Sequence, residues 1–132
     1  MVSPFRRHQQ MVRALKSGAA APRKAGEAPA EPKPDTEAGT EYAALKVLLH
    51  DNLRTLADTA SIEARNPKKA EMAKAFSDWI EGVLKAGEQG QAAQDEILVT
   101  NMIWAIDYRD FDYALRLAAH VLKFNLVLPE RY

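Results

Sequence analysis

The apolar residues of this chain are most concentrated between Gln91 and Asn125, where two helical patterns follow one another. In the first pattern they cover most of the helix circumference, which is typical of a helix enclosed by its neighbours. These residues are Ile97, Leu98, Val99, Met102, Ile103, Trp104 and Ile106. In the second pattern they recur at steps of three and four, which predicts one face packed on the first helix. These residues are Phe111, Ala114, Leu115, Ala118, Val121 and Leu122, between a predicted cap at Asp110 and a predicted end at Asn125.

A narrower apolar stripe predicts a long helix from Glu41 to about Ala64. Because a narrow stripe can pack on the core along one edge and on a second chain along the other, this helix is a candidate for oligomerisation. The stripe residues that we expect to take part are Tyr42, Leu45, Leu49, Leu53 and Leu56.

The pair Asn66 and Pro67 predicts a helix break. Proline disfavours the helical conformation of the residue before it and suits the first position of a helix. A further helix then runs to a stretch between Gly87 and Gly90, with an apolar face made of Met72, Phe76, Trp79, Ile80, Val83 and Leu84. The pattern as a whole predicts an all-α fold whose body is a bundle of about four helices.

The first forty residues lack this density of apolar side chains. Ser3 and Pro4 suit the cap and the first position of a short basic helix, so residues 1–17 are predicted to form a helical arm. Residues 18–40 are rich in Pro, Ala and Glu and contain no large apolar side chain, which predicts a disordered, flexible linker. Residues 41–132 are predicted to form a helical body that mediates oligomerisation.

Composition limits the class of protein. The 132 residues provide for one modest core, and the absence of cysteine excludes disulfides and thiolate metal ligands and fits a reducing compartment. No apolar run approaches the ~20 residues needed to span a bilayer, and no apolar signal core follows the basic N-terminus. These features predict a soluble, cytoplasmic protein.

The formal net charge of zero conceals an uneven distribution. Residues 1–24 carry six basic and no acidic side chains, whereas the remaining residues carry 12 basic and 18 acidic ones. A basic arm can neutralise phosphates and release counterions, which favours contact with nucleic acid, although a solubilising or self-docking tail is an open alternative. The predicted DNA-binding residues are Arg6, Arg7, Arg13, Lys16, Arg23 and Lys24.

A second basic cluster surrounds the predicted helix break. Its members are Arg65, Lys68, Lys69 and Lys74, with Glu63, Glu71 and Asp78 interleaved among them. The alternation favours a solvated, salt-bridged surface over a phosphate-binding one. The first three of these basic residues remain the alternative DNA contact.

The sequence contains no recognisable reaction centre. It lacks a glycine-rich phosphate-binding loop, and His8, His50 and His120 are far apart in sequence. The carboxylates that could in principle bind a catalytic metal are Asp95, Glu96, Asp107, Asp110 and Asp112. Because these positions suit helix starts and the connecting turn, structural roles explain them more simply. We therefore predict no catalytic residue, no metal and no cofactor.

Five motifs in this chain resemble those of the terminase small subunits of cos-packaging tailed phages, the M-protein type often labelled the endonuclease subunit. They occur in family order over roughly half of the chain. The motifs are S-P-x-x-R-H from Ser3, W-x-x-G-V-L from Trp79, Q-D-E-I-L from Gln94, D-x-x-x-A-L from Asp110 and L-x-L-P from Leu126.

The resemblance implies a protein of a phage or prophage that acts in the bacterial host cytoplasm. Small terminases bind the packaging site on double-stranded phage DNA, assemble into rings, and direct the large ATPase-nuclease subunit to cos cleavage. The metal-binding carboxylates are then expected in the large subunit, with no intrinsic activity in this one. Family members continue beyond the Leu-Pro motif, so a chain ending at Tyr132 is either truncated or a shorter relative.

Two other functions remain open from the residues alone. The helical pair that ends in DFDYALRLAAHVLK also looks like one tetratricopeptide-type unit, which would make the protein a helical protein-protein adaptor without DNA function. A metal-dependent nuclease is the third class, and the residues support it least.

Overall fold

The computed structural model describes residues 28–129 and confirms the all-α prediction for this part of the chain. The elements are α1 (Glu37–Ala57), α2 (Ile62–Ala73), a short 3₁₀ turn (Lys74–Phe76), α3 (Ser77–Glu88), α4 (Glu96–Asp107) and α5 (Phe111–Phe124). The predicted arm at residues 1–17 lies outside the described range, and so do all six predicted DNA-binding residues, of which Arg23 and Lys24 follow the arm. Within that range no helix is both long and apolar enough to cross a lipid bilayer.

Helix α4 is the centre of the bundle, as its apolar pattern predicts. It packs on α5, α2 and α1, and Ile97, Leu98, Val99 and Trp104 have no exposed surface. The Trp104 ring meets the ring of Phe76 edge-on, with centroids 6.3 Å apart. Helices α1, α2 and α5 therefore pack around α4.

The predicted helix break at Asn66 and Pro67 is wrong. Helix α1 ends at Ala57, and α2 begins after Ser61, whose hydroxyl accepts a hydrogen bond from the Ala64 amide at 3.2 Å. Pro67 lies inside α2. A proline inside a helix removes one backbone hydrogen bond, and here the Ser61 cap determines where the helix starts.

Helix α5 confirms both predicted ends but only part of the predicted face. Asp110 accepts a hydrogen bond from the Tyr113 amide at 3.2 Å, and Asn125 ends the helix in the left-handed conformation, with φ of 58°. Contrary to the prediction, three residues of the predicted face are 56%, 68% and 80% exposed, namely Phe111, Leu115 and Leu122. The face turned to the core instead carries Ala114, Leu117, His120 and Val121.

The boundary between the predicted linker and the body also differs from the prediction. Helix α1 starts at Glu37 rather than Glu41, and the Thr36 hydroxyl caps it by accepting a hydrogen bond from the Gly39 amide at 2.9 Å. Gly39 is required there because a Cβ atom would overlap the carbonyl oxygen of Lys33. Pro29 and Pro32 are buried. Residues 28–36, which we call the N-terminal segment, therefore pack against the body.

Candidate functional site

Three consecutive residues at the start of α4 bind most of the other segments of the bundle. Gln94, Asp95 and Glu96 contact the N-terminal segment, α1, α3 and residues 126–129, which we call the C-terminal segment. We refer to these three residues as the α4 junction. They begin the Q-D-E-I-L motif, so the structure gives that motif a physical role.

Asp95 links α4 to α3. One carboxylate oxygen, Oδ1, accepts a hydrogen bond from the Leu98 amide at 3.0 Å, and the other, Oδ2, accepts one from the Trp79 indole N–H at 2.8 Å. The side chain is almost completely buried. Burial raises the pKa of Asp95 to about 6, and the two hydrogen bonds oppose that rise because they favour the charged carboxylate.

Glu96 links α4 to α1. Its amide donates a hydrogen bond to the Tyr42 hydroxyl at 3.0 Å, and its carboxylate lies 3.0 Å from His50 Nε2 and 3.6 Å from Lys46 Nζ. Lys46 also reaches Glu31 of the N-terminal segment at 3.2 Å. The pKa of Tyr42 is raised, chiefly because the phenol is buried.

Gln94 holds two distant parts of the chain. Its backbone amide donates a hydrogen bond to the Ala30 carbonyl at 3.0 Å. Its side-chain amide pairs with the backbone of Val127: Nε2 donates to the carbonyl at 3.0 Å, and Oε1 accepts from the amide at 2.8 Å. The N-terminal and C-terminal segments are therefore attached to one residue.

His120 is a second buried titratable side chain, on α5 where this helix approaches α3. Burial lowers the pKa of His120 to about 4, and the nearby charge of Lys123 acts in the same direction. A Cβ atom on Gly87 would lie 2.7 Å from Nδ1 of this ring, so the close approach of α5 requires glycine there. Lys123 donates a hydrogen bond to the Gly87 carbonyl at 3.0 Å.

The basic side chains of the second cluster bind partners within the body. Lys69 forms an ion pair with Asp107 at 2.7 Å, and Lys74 pairs with Glu71 at 3.0 Å, as expected of a salt-bridged surface. The other two residues hold the turn between α1 and α2 through the carbonyl and hydroxyl oxygens of Thr59: Arg65 Nε donates at 2.8 Å and Lys68 Nζ at 3.1 Å.

The candidate carboxylates are dispersed over different contacts. Asp95 and Asp110 cap helices, Asp107 pairs with Lys69, and Glu96 faces α1. Asp112 is exposed in the first turn of α5. In the stretch from 28 to 129, no group of three or more His, Asp or Glu side chains could hold a metal ion.

The residues predicted for oligomerisation pack inside the chain. Tyr42, Leu49 and Leu56 are 4%, 0% and 6% exposed, and Leu45 and Leu53 are partly buried against the same core. Packing within one chain therefore uses much of this stripe, and its role in oligomerisation stays a prediction.

The pairing of Gln94 with Val127 is not predicted by the sequence. The motifs that begin at Gln94 and Leu126 are separate signatures along the chain, and the structure places them in direct contact. Spacing along a chain carries no signal for such a contact. Trp79, from a third motif, reaches the same junction through Asp95.

The fold and the junction define a small all-α bundle in which three of the terminase-like motifs meet. The family described as phage small terminase subunit matches residues 46–132. The chain belongs to this family, which confirms the resemblance inferred from the motifs.

The chain is also similar to a named relative. It is 36% identical over 132 residues to the protein called "Terminase, endonuclease subunit" of Escherichia phage P2. The match covers 100% of this chain and 48% of the relative, so the chain spans about half the length of that curated protein. No solved structure matches the chain.

Proposed function

We propose that this protein acts in the packaging of phage DNA in the host cytoplasm, as a small terminase subunit. In this role it binds the packaging site, oligomerises, and recruits or directs the large terminase subunit for cos cleavage. Membership of the small terminase family over residues 46–132 is the observation that carries the proposal. It also favours the packaging role over the helical adaptor.

The distribution of charge supports the basic arm as the DNA contact. Residues 28–129 contain 11 basic and 16 acidic side chains, a net charge of −5 that disfavours contact with phosphates. The basic side chains of Arg65, Lys68 and Lys69 already have partners in the body. Residues 1–24 supply six positive charges without an acidic neighbour among them.

The test compares two double variants that each remove two positive charges. In Arg13→Ala/Lys16→Ala the arm loses two predicted phosphate contacts, whereas the control Lys33→Ala/Lys85→Ala changes exposed side chains of the body. Binding to duplex DNA is measured by fluorescence anisotropy over a range of salt concentrations. The arm variant should bind more weakly to every sequence, and the slope of log affinity against log salt should fall by about 2.

Two outcomes would overturn the assignment of the arm. One is unchanged DNA binding by the arm variant. The other is a stronger loss in Arg65→Ala/Lys68→Ala than in the arm variant, which would move the contact to the turn between α1 and α2.

Oligomerisation is proposed to use the outer face of α5 rather than the α1 stripe. Phe111, Leu115 and Leu122 are among the most exposed large apolar residues of the described chain, and they lie on one face of the helix. A closed oligomer would carry many basic arms, so that binding of the first raises the effective concentration of the others.

Light scattering tests this part of the proposal. The full chain and a variant lacking residues 1–27 should both form the oligomer, and Leu115→Ser/Leu122→Ser should shift it to monomer while the helical content persists. The control Val47→Ser changes an exposed apolar residue on α1. Monomers of the full chain, or an oligomer unaffected by the α5 substitutions, would refute it.

Cleavage is assigned to the large subunit, although the relative is named an endonuclease subunit. The support is the use of Asp95, Asp107 and Asp110 in caps and an ion pair. Incubation of the purified protein with DNA and Mg²⁺ should leave the strands intact. Cutting that is lost on Asp107→Asn or Asp110→Asn would overturn the assignment.

A further inference from the structure

We propose that Gln94 is a clasp that couples the N-terminal segment to the C-terminal segment. Release of one segment would then loosen the other. The N-terminal segment is the part of the body to which the basic arm is joined, so the clasp connects the arm with the opposite end of the described chain. Its consequence for DNA rests on the proposed function, whereas the coupling itself does not.

The clasp consists of three hydrogen bonds on one residue. The Gln94 backbone amide binds Ala30, and the Gln94 side chain makes a two-point contact with the backbone of Val127. A primary amide matches a peptide group because each carries one donor and one acceptor at similar separation. The side chain therefore recognises the backbone of the C-terminal segment without requiring a particular side chain at Val127.

Packing around the clasp brings the two segments together. Pro29 and Pro32 are buried on one side, and Leu126 is buried on the other. Glu31 lines the same surface cavity as Val127 and Leu128, and Gln94 contributes to its wall. The two segments thus share both a residue and a surface.

The position of Gln94 depends on both contacts. Gln94 lies in the irregular stretch between α3 and α4, where no helical hydrogen bonding fixes its backbone. On its C-terminal side the Asp95 cap fixes the chain. Loss of the Val127 contact removes two of the three hydrogen bonds that hold Gln94, so its remaining bond to Ala30 weakens.

Amide hydrogen exchange of the full chain tests the coupling. Gln94→Met has a similar length and no amide, and Gln89→Met is the control, since Gln89 is an exposed glutamine in the same connection. In Gln94→Met the Val127 amide should exchange about 10-fold faster. The amide of residue 94 should exchange several-fold faster although its acceptor at Ala30 is unchanged.

Reciprocity gives the second measurement, because coupling between two sites acts equally in both directions. Gly39→Ala displaces the N-terminal segment through overlap with the Lys33 carbonyl, and it should accelerate exchange at Val127. Removal of residues 126–132 should accelerate exchange at Gln94. Circular dichroism confirms that each variant remains helical. Unchanged exchange at the opposite segment in these variants would refute the clasp.

DNA affinity separates the clasp from the proposed function. If the coupling exists and the arm binds DNA, Gln94→Met, which removes the clasp, should change DNA affinity at least 2-fold relative to Gln89→Met. If exchange is coupled but deletion of residues 1–27 leaves DNA binding unchanged, the clasp stands and the proposed DNA contact fails. If the deletion abolishes binding but exchange is uncoupled, the clasp fails and the DNA contact stands.

Discussion

Asp95 and His120 are two buried titratable side chains whose pKa values are shifted in opposite senses. The pKa of the Asp95 carboxyl is raised from 3.8 to about 6, and the pKa of the His120 imidazole is lowered from 6.5 to about 4. Both shifts favour the neutral form, because burial penalises charge. The contribution of Asp95 to the unfolding free energy is therefore present in acid and is lost as pH rises through about 6. The contribution of His120 is present at neutral pH and is lost as pH falls through about 4.

The effect of Asp95→Asn should therefore depend on pH. The wild-type protein gains stability from protonation of Asp95 between about pH 6 and pH 4, and the variant does not. The difference in unfolding free energy, wild type minus variant, should grow by up to about 3 kcal/mol over this interval. Urea unfolding at several pH values measures it. A difference that is constant with pH would contradict the assigned shift.

The contact between Gly87 and His120 predicts a coupled pair of substitutions. Alanine favours helix by about 1 kcal/mol over glycine, but a Cβ at residue 87 would meet the His120 ring at 2.7 Å. We expect Gly87→Ala to destabilise the protein by about 1–2 kcal/mol. In a His120→Ala background the same change should become neutral or stabilising. Urea unfolding of the four proteins measures the coupling, and additive effects would argue against the close contact.

At the level of the helices, α1 and α5 each carry apolar residues on more than one side. The periodicity identified both as helices and predicted their apolar positions. It did not identify which positions are covered, because coverage depends on the neighbouring helices. The Tyr42 to Leu56 stripe of α1 is used by the core, while Leu115 and Leu122 of α5 remain outside it.

Leu49 and Val47 give a direct test of this assignment on α1. Leu49 is fully buried, and Leu49→Ala should lower the unfolding free energy by about 3 kcal/mol through lost burial and a cavity. Val47 is 64% exposed, and Val47→Ala should change the unfolding free energy by less than about 0.5 kcal/mol. Thermal or urea unfolding at two protein concentrations checks both values. Equal effects of the two substitutions would mean that the α1 stripe is not core.

At the level of the whole molecule, the N-terminal segment belongs to the folded body. It contributes buried prolines, the Thr36 cap and the Ala30 carbonyl that accepts from Gln94. These contacts are local to residues 28–36. Segments on either side of position 28 should therefore differ in their effect on stability.

Two deletions test this difference. Removal of residues 1–36 should lower the unfolding free energy by about 1–3 kcal/mol relative to removal of residues 1–27, because a helix cap and buried apolar contacts are lost. Urea unfolding of the two shortened proteins gives the comparison. Equal stabilities would show that the N-terminal segment contributes nothing to the body.

The sequence by itself determined the features that depend on local chemistry. The apolar circumference of α4 identified the central helix, and side-chain chemistry identified the cap at Asp110 and the helix end at Asn125. Five short motifs were sufficient to indicate the family. Among the candidate site residues, the basic residues of the arm are predicted to bind DNA from the distribution of charge alone.

Only the tertiary structure decided which competing local signals prevail and which distant residues meet. Ser61 caps the start of α2 although Pro67 is the stronger signal in sequence, and Arg65 and Lys68 bind Thr59 in the preceding turn. Gln94 meets Ala30 and Val127 because three segments pack at the start of α4. Helical periodicity reports the geometry of one helix, whereas these contacts depend on how the helices and segments are arranged around each other.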